Sequence, residues 1–267
     1  MKGNILIIGA PRSGTTLLSG LVTGNEKCVP NIPECTYITQ IVKHYHDIVN
    51  YSDKERFSIY AKDQETLLGV YKKHVDNMLE VVLSQFRNVN YDALVLKDPE
   101  LSLYVDLVST FFHKSKIIYI VRDPRAIIAS MLKVFAKKNS GLFGANGYCS
   151  DETLLQVASD IYNYFYVIHE SRAYKDGMIH IVGYEDIVEG DLDVFVNLEK
   201  YLGYKLSRKA FERNAFEFDE NDSTFSKNYG QDIVKCTSDY RDSLCPKHIK
   251  VIEEMFSGLN LIYNWWG

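Results

Sequence analysis

The sequence has few cysteines and none in a paired motif. Its 267 residues include 5 cysteines, which lie far apart and form no Cys-x-x-Cys pair. Structural disulfides belong mainly to secreted proteins and use cysteines in pairs, so we expect free thiols in a reducing compartment. A small fold held together by disulfides is therefore excluded.

Long hydrophobic runs are also missing. The first apolar run, residues 5–8, is much shorter than the core of a signal peptide and is not followed by a small-residue cleavage site. No segment approaches the roughly 20 continuous apolar residues of a membrane span. We therefore expect a cytoplasmic protein without a membrane span.

An excess of positive charge is absent as well. The 30 Lys and Arg residues are outnumbered by 35 Asp and Glu residues, which gives a net charge of -5. Because a nucleic-acid binder normally carries a basic domain or stripe, we expect no nucleic-acid partner. An anionic ligand must then be held by local positive charge.

The composition is that of an ordinary globular protein, with 46% hydrophobic and 24% charged residues. The chain shows no internal repeat, low-complexity tract or clear change of composition. We therefore predict a single domain over residues 1–267, although the length would also allow two small ones. The oligomeric state is left open.

Short β-branched apolar runs alternate with longer amphipathic segments, which is typical of parallel strands joined by helices. We predict an α/β fold, a three-layer sandwich with a central, mostly parallel sheet flanked by helices. The predicted strands are residues 5–8, 94–96, 117–121 and 179–182. The predicted helices are residues 67–86, 126–135, 151–174, 192–201 and 246–256. A polar stretch, 219–237, is predicted to be an irregular loop.

A glycine-bounded turn follows the first strand, with the sequence Gly-Ala-Pro-Arg-Ser-Gly-Thr-Thr over residues 9–16. A strand, such a turn and a helix together present backbone N–H groups and the positive end of a helix dipole to a phosphate. Thr15 stands where a nucleoside-triphosphate enzyme carries lysine, which counts against an ATPase. The planar fork of Arg12 can supply the missing charge. The alternative is a tight turn with Arg12 on the surface.

A second cationic position follows the third strand. Arg122 lies at the carboxyl end of that strand, where open α/β sheets bind ligands, and Ser130 lies about two helical turns further on. Both side chains can then reach one phosphate. The alternative is a surface ion pair between Arg122 and Asp123, with Ser130 exposed to solvent.

These two segments resemble sites of the sulfotransferase family. The loop at 9–16 is similar to the 5′-phosphosulfate loop of these P-loop enzymes, and the Arg122 to Ser130 spacing is similar to their 3′-phosphate site. The resemblance implies 3′-phosphoadenosine 5′-phosphosulfate (PAPS) as the sulfuryl donor and adenosine 3′,5′-bisphosphate (PAP) as the product. It also implies an acceptor hydroxyl on a glycan, a small metabolite or a tyrosine. The sequence itself shows no metal-ligand spacing, so we expect no catalytic metal. The implied nucleotide contacts are Arg12, Ser13, Gly14, Thr15, Thr16, Arg122, Ser130, Tyr184 and Lys235.

The catalytic cations expected for sulfuryl transfer are Arg12 and Lys97. Lys97 follows the second strand, and Lys-Asp-Pro resembles the matching segment of tyrosylprotein sulfotransferases. Two carboxylates compete as the base: Glu34, placed as in tyrosylprotein and some glycan sulfotransferases, and Asp98. We favour Glu34, because Asp98 is well placed to cap the following helix. Pro99 stands where the cytosolic small-molecule sulfotransferases have a histidine base, so that mechanism cannot apply.

The remaining candidates are less specific. Tyr184 begins a Tyr-Glu-Asp stretch that resembles one near the adenine nucleotide of the family, and ordinary packing is its alternative. Lys227 and Lys235 lie in the polar stretch, where many relatives cover the nucleotide with a basic loop, so either lysine is a candidate for the 3′-phosphate and a solvated side chain is the alternative for both. Residues 37–60 and 141–148 are expected to build the acceptor pocket. The aromatic segment at 263–266 is expected to pack on the body of the protein, with a partner contact as the alternative.

Two other functions are compatible with the loop. One is a P-loop nucleotide kinase, against which Thr15 argues. The other is a noncatalytic nucleotide-binding protein that keeps the loop without turnover.

Overall fold

Four parallel strands form the sheet of this protein, in the spatial order β2-β1-β3-β4. The computed structural model describes residues 3–86, 90–112, 114–139, 141–144, 147–217, 233 and 239–267. The strands are β1 (Gly3–Ile8), β2 (Ala93–Lys97), β3 (Lys116–Val121) and β4 (Ile179–Gly183). All four predicted strands are present, within two residues of their predicted bounds.

The helices of the described residues connect and cover these strands. They are α1 (Thr15–Thr23), α2 (Thr36–Tyr51), α3 (Lys54–Phe57), α4 (Gln64–Ser84), α5 (Val105–Phe111), α6 (Pro124–Lys138), α7 (Asp151–Glu170), α8 (Arg172–Lys175), α9 (Tyr184–Glu189), α10 (Leu192–Leu202), α11 (Pro246–Met255) and α12 (Ser257–Tyr263). Two 3₁₀ helices, Pro99–Tyr104 and Tyr240–Asp242, complete the set.

The sheet is buried on both faces. Along β1, Leu6 and Ile8 contribute to one apolar cluster, while Ile5 and Ile7 contribute to another. The alternation follows from the two-residue period of a strand. The first cluster includes side chains from α2, α4, α5, α6, α7, α11 and α12, and the second includes side chains from α1 and α10. The predicted three-layer α/β architecture is confirmed.

The strand register brings three loop segments to one edge of the sheet. Ile7 of β1 pairs with Lys97 of β2, and Ile8 pairs with Tyr119 of β3. Because the strands are parallel, their carboxyl ends lie side by side, and this edge is where open α/β sheets bind ligands. The segments that begin at Gly9, Lys97 and Arg122 therefore meet there.

The predicted helix over residues 151–174 is wrong in one respect, because it is interrupted at Ser171. This residue has φ -66° and ψ 151°, outside the helical region, and its Oγ accepts a hydrogen bond from Tyr174 N. A serine in that conformation caps a new helix more readily than it continues an old one. The single periodic segment is therefore two helices, α7 and α8.

Two other expectations concern less regular parts of the chain. The predicted last helix, residues 246–256, ends at Met255 and is followed by α12, which the sequence pattern does not indicate. The polar stretch 219–237 lies outside the described residues, apart from Ile233. Among the helices of the described parts, none combines the length and apolar character needed to cross a bilayer.

Candidate functional site

The turn between β1 and α1 adopts a conformation that requires glycine at position 14. Gly14 has φ +104°, and a Cβ there would lie 2.4 Å from Cδ2 of Tyr184. Arg12 also has a positive φ, +70°. Helix α1 then begins without a side-chain cap, which is the arrangement in which a helix N-terminus binds an anion. The turn is therefore shaped for close approach of a ligand to its backbone.

Ser102 anchors the start of this turn. Gly9 N donates to Ser102 Oγ at 2.8 Å, and Ser102 Oγ lies 3.2 Å from the Gly9 oxygen that accepts its proton. Both bonds are buried, so they hold the turn against the 3₁₀ helix Pro99–Tyr104. The sequence carries no signal for this contact, because an isolated serine is found in many environments.

The two cationic positions predicted from the sequence are in direct contact. Arg122 Nη1 donates a hydrogen bond to the main-chain oxygen of Arg12 at 2.8 Å. Arg12 Nε donates to Ser130 Oγ at 3.1 Å. Arg12, Arg122 and Ser130 therefore form one cluster, so the residues predicted to bind the two anionic groups of the donor lie side by side.

The alternative ion pair of Arg122 with Asp123 is not observed. Asp123 binds Arg125 instead, with its Oδ2 2.8 Å from Arg125 Nη2. The guanidinium carbon of Arg122 lies 4.2 Å from the ring centre of Tyr184, a cation-π distance. Arg122 thus remains directed at the turn and at Tyr184.

Two buried donors at the turn have no hydrogen-bond partner among the residues that the structure describes. They are Ser13 Oγ and Arg122 Nε. A buried polar group without a partner costs roughly 1 to 3 kcal/mol, and more when it is charged. A ligand with several acceptor oxygens, such as a phosphate or sulfate ester, has the chemistry to satisfy both.

A second cluster lies next to the turn and centres on Lys97. Its Nζ lies 2.7 Å from Oε1 of Glu34 and 3.0 Å from Oγ1 of Thr16. The Lys97 side chain is 4% exposed, while that of Glu34 is 44% exposed. The lysine is therefore buried, and Glu34 is its solvent-facing partner.

Asp98 has a different environment from Glu34. It is buried, and its Oδ1 accepts a hydrogen bond from Glu100 N at the start of the 3₁₀ helix. Burial raises the pKa of the Asp98 carboxyl. Asp98 is thus the N-terminal cap of this 3₁₀ helix, which was the alternative to its role as base.

The remaining predicted residues are distributed around these clusters. Thr15 is buried in the first turn of α1, and Tyr184 is the first residue of α9. Lys235 lies outside the described residues. A groove of about 630 Å³ lies between α2 and α4, and its α2 side falls within residues 37–60, one of the two segments expected to build the acceptor pocket. Its lining residues are Tyr37, Gln40, Ile41, Lys43, His44, Asp47, Val70, Tyr71 and His74.

Fold and site together define the class: a parallel α/β protein with a glycine-bounded, arginine-containing turn at the carboxyl edge of its sheet. The sequence profile described as the Sulfotransferase family matches residues 4–208. The chain therefore belongs to the sulfotransferase family. A comparison with curated proteins finds no significant match.

Solved structures support the same fold. The sulfotransferase domain from the curacin biosynthetic pathway is 18% identical with a TM-score of 0.57, and the match covers 96% of this chain and 98% of that one. The sulfotransferase domain of the Synechococcus PCC 7002 olefin synthase is 17% identical with a TM-score of 0.54, covering 95% and 94%. Sulfotransferase STF9 from Mycobacterium avium is 11% identical with a TM-score of 0.54, covering 97% and 76%.

Proposed function

We propose that this protein transfers the sulfuryl group of PAPS to the hydroxyl of an acceptor molecule. The observation that carries the proposal is the position of Lys97, which binds Thr16 of the turn and Glu34 at the same time. A cation in that position lies beside both the anion-binding turn and a solvent-facing carboxylate. Sulfuryl transfer to an alcohol needs a cation and a base close together in this way.

The donor is supported by the cationic cluster. Arg12 and Arg122 are in contact, and Ser13 and Arg122 keep buried donors without partners. PAPS carries a phosphosulfate at its 5′ end and a phosphate at its 3′ position. We assign the phosphosulfate to the turn with Arg12, and the 3′-phosphate to Arg122 and Ser130.

The reaction follows from these assignments. The acceptor oxygen forms a bond to sulfur while the bond from sulfur to the bridging phosphate oxygen breaks, and PAP leaves. Glu34 takes the proton of the acceptor hydroxyl. Arg12 and Lys97 stabilise the negative charge that develops on the transferring group and the leaving oxygen.

The acceptor is proposed to be a glycan or a small molecule that approaches over α2. Glu34 precedes this helix by two residues and is the exposed member of its pair with Lys97. The groove between α2 and α4 begins at Tyr37, about one helical turn beyond Glu34. Its tyrosine and histidine side chains offer both apolar faces and hydrogen-bonding groups.

We also propose that residues 1–267 form one sulfotransferase-like domain. The family match ends at residue 208, but Ile252, Phe256 and Leu259 lie in the same apolar cluster as Leu6 of β1. A segment that shares the core of the sheet is expected to fold with it.

The direct test combines binding and transfer. Calorimetric titration should show PAP binding more tightly than ADP, and a labelled-sulfate assay with PAPS should show transfer to an acceptor from a panel of alcohols. Tighter binding of ADP with magnesium, together with transfer of the γ-phosphate of ATP, would instead establish a kinase. PAP binding without transfer to any acceptor would favour a noncatalytic nucleotide-binding protein.

A further inference from the structure

Arg125 is a buried arginine whose polar atoms are held by several partners. It is 7% exposed. Its Nε lies 3.1 Å from each carboxylate oxygen of Asp123, and its Nη2 lies 2.8 Å from Oδ2 of the same residue. Its Nη1 lies 2.6 Å from Oε1 of Glu253 in α11. Paired geometry of this kind is stronger and more directional than a single ionic contact.

Aromatic rings fix the orientation of this guanidinium. Its central carbon lies 4.7 Å from the ring centre of Tyr240 and 4.5 Å from that of Trp266. Nη2 also donates to the main-chain oxygen of Trp265 at 3.3 Å. Asn260 holds the backbone N and O of Trp266 with two hydrogen bonds. Trp265 and Trp266 of the aromatic segment at 263–266 are thus held against α6 by Arg125.

Asp123 directly follows Arg122, so its carboxylate is close in sequence to the Arg122 guanidinium. A carboxylate there would compete with any phosphate for the Arg122 guanidinium and would repel a dianion. In the structure the Arg125 side chain engages both oxygens of Asp123, and Asp123 Oδ1 also accepts a hydrogen bond from Arg125 N as the N-terminal cap of α6. Within the described residues, Arg122 forms no ion pair, and its Nε has no hydrogen-bond partner.

We propose that Arg125 is a positioning residue for phosphate recognition at Arg122. It neutralises Asp123 and turns its carboxylate away from Arg122, and the rings of Tyr240 and Trp266 hold it in the geometry that does so. This inference rests on the proposed binding of the donor 3′-phosphate by Arg122. It makes the aromatic segment, which lies beyond the residues that the family profile matches, part of the specificity for a 3′-phosphorylated nucleotide.

The test compares two ligands that differ only in the 3′-phosphate. The dissociation constants of PAP and adenosine 5′-monophosphate (AMP) are measured by calorimetry for the wild type and for Arg125→Met. Because Asp123 can then pair with Arg122, PAP affinity is expected to fall about tenfold, while AMP affinity changes by less than about twofold. Adding Asp123→Asn to Arg125→Met should restore most of the PAP affinity, since the charge of Asp123 then no longer competes for Arg122.

The matched control is Arg241→Gln. Arg241 also lies over the Tyr240 ring, at 4.6 Å, but its guanidinium pairs with Asp239 on the surface, whereas Asp123 pairs with Arg125. This variant should keep the wild-type ratio of PAP to AMP affinity. If Arg125→Met fails to fold, Arg125→Lys replaces it; because lysine keeps the charge without the planar fork, the ratio should fall about threefold.

The outcomes separate this inference from the proposed function. A wild type that binds PAP no more tightly than AMP overturns both. A wild type that prefers PAP, with variants at position 125 that keep the preference, overturns the role of Arg125 alone. Loss of the preference without recovery on Asp123→Asn also overturns it, because the effect would then not act through that carboxylate.

Discussion

Arg122 donates a hydrogen bond from Nη1 to the main-chain oxygen of Arg12 at 2.8 Å, across 110 residues of sequence. The bond fixes the tip of the turn after β1 to the end of β3. Two guanidinium groups thereby lie at one edge of the sheet, although the protein as a whole is acidic. Local placement of cations, not net charge, gives this edge its suitability for an anionic ligand.

The first prediction concerns the cations of the site. Arg12→Gln and Lys97→Met should each lower the rate of sulfuryl transfer by roughly 10²- to 10³-fold, because each removes a charge that stabilises the transition state. Steady-state rates with labelled PAPS measure the effect, and circular dichroism checks folding.

The control for Lys97 is Lys116→Met. Lys116 also extends from a strand, but its Nζ donates to the oxygens of Tyr201 and Leu202 at the amino end of β3, the opposite edge of the sheet. Its replacement should lower the melting temperature and leave the rate per folded molecule unchanged. Near-normal transfer by Lys97→Met would contradict the proposed mechanism.

The second prediction distinguishes the two candidate bases. Glu34→Gln keeps the shape of the side chain but removes its basicity, so kcat should fall roughly 10²- to 10⁴-fold at saturating donor. Asp98→Asn keeps an acceptor for Glu100 N and should retain most of the activity. Measuring kcat for both variants in the same assay distinguishes the two carboxylates. A large loss in Asp98→Asn with little change in Glu34→Gln would identify Asp98 as the base.

The third prediction concerns the backbone of the turn. Gly14→Ala places a Cβ 2.4 Å from Tyr184 and forces alanine into positive φ. Overpacking of this kind costs about 1 to 3 kcal/mol, with a further 1 to 2 kcal/mol or so for the backbone conformation. Thermal unfolding should show the loss of stability, and calorimetry a loss of PAP binding.

Gly69→Ala is the matched control for this substitution. Gly69 lies within α4, and a Cβ there would meet no atom within 4 Å. Because alanine favours a helix more than glycine does, this variant should be more stable by about 0.5 to 1 kcal/mol. A destabilisation of similar size in both variants would show that the turn is not specially constrained.

The fourth prediction is a pH dependence of stability that comes from Asp98. Its pKa is raised by burial, so the folded state holds the proton more tightly than the unfolded state. Asp98 therefore contributes stability below its unfolded pKa of about 3.9, and this contribution is lost as pH rises through the folded pKa. The free energy of unfolding of Asp98→Asn, relative to wild type, should increase as pH rises from 4 to 7.

Asp63→Asn should show the opposite trend. The Asp63 carboxylate caps α4 by accepting hydrogen bonds from Thr66, which lowers its pKa. Its contribution is present above the unfolded pKa and is lost as pH falls through the folded one. Denaturant titrations of both variants at several pH values measure the two trends. The same trend in both would argue against burial as the cause at Asp98.

Local sequence patterns were sufficient for much of the architecture. Runs such as residues 117–121 are apolar throughout because a parallel sheet covered on both faces buries every side chain of a strand. The glycine-bounded turn at 9–14 could likewise be predicted from the sequence, since its conformation depends on its own residues. The break at Ser171 was missed because the apolar periodicity of α7 continues across it, while the capping bond that ends the helix is local and polar.

The sequence by itself determined the layered α/β fold and identified four candidate site residues: Arg12, Glu34, Lys97 and Arg122. Only the tertiary structure decided what each of them meets: Arg12 contacts Ser130, Lys97 contacts Glu34, and Arg122 contacts the main chain of Arg12. The physical reason is the range of the forces involved. Hydrophobic periodicity and turn geometry act within a few residues, whereas these three contacts join segments that lie 63 to 118 residues apart and are brought together only by packing.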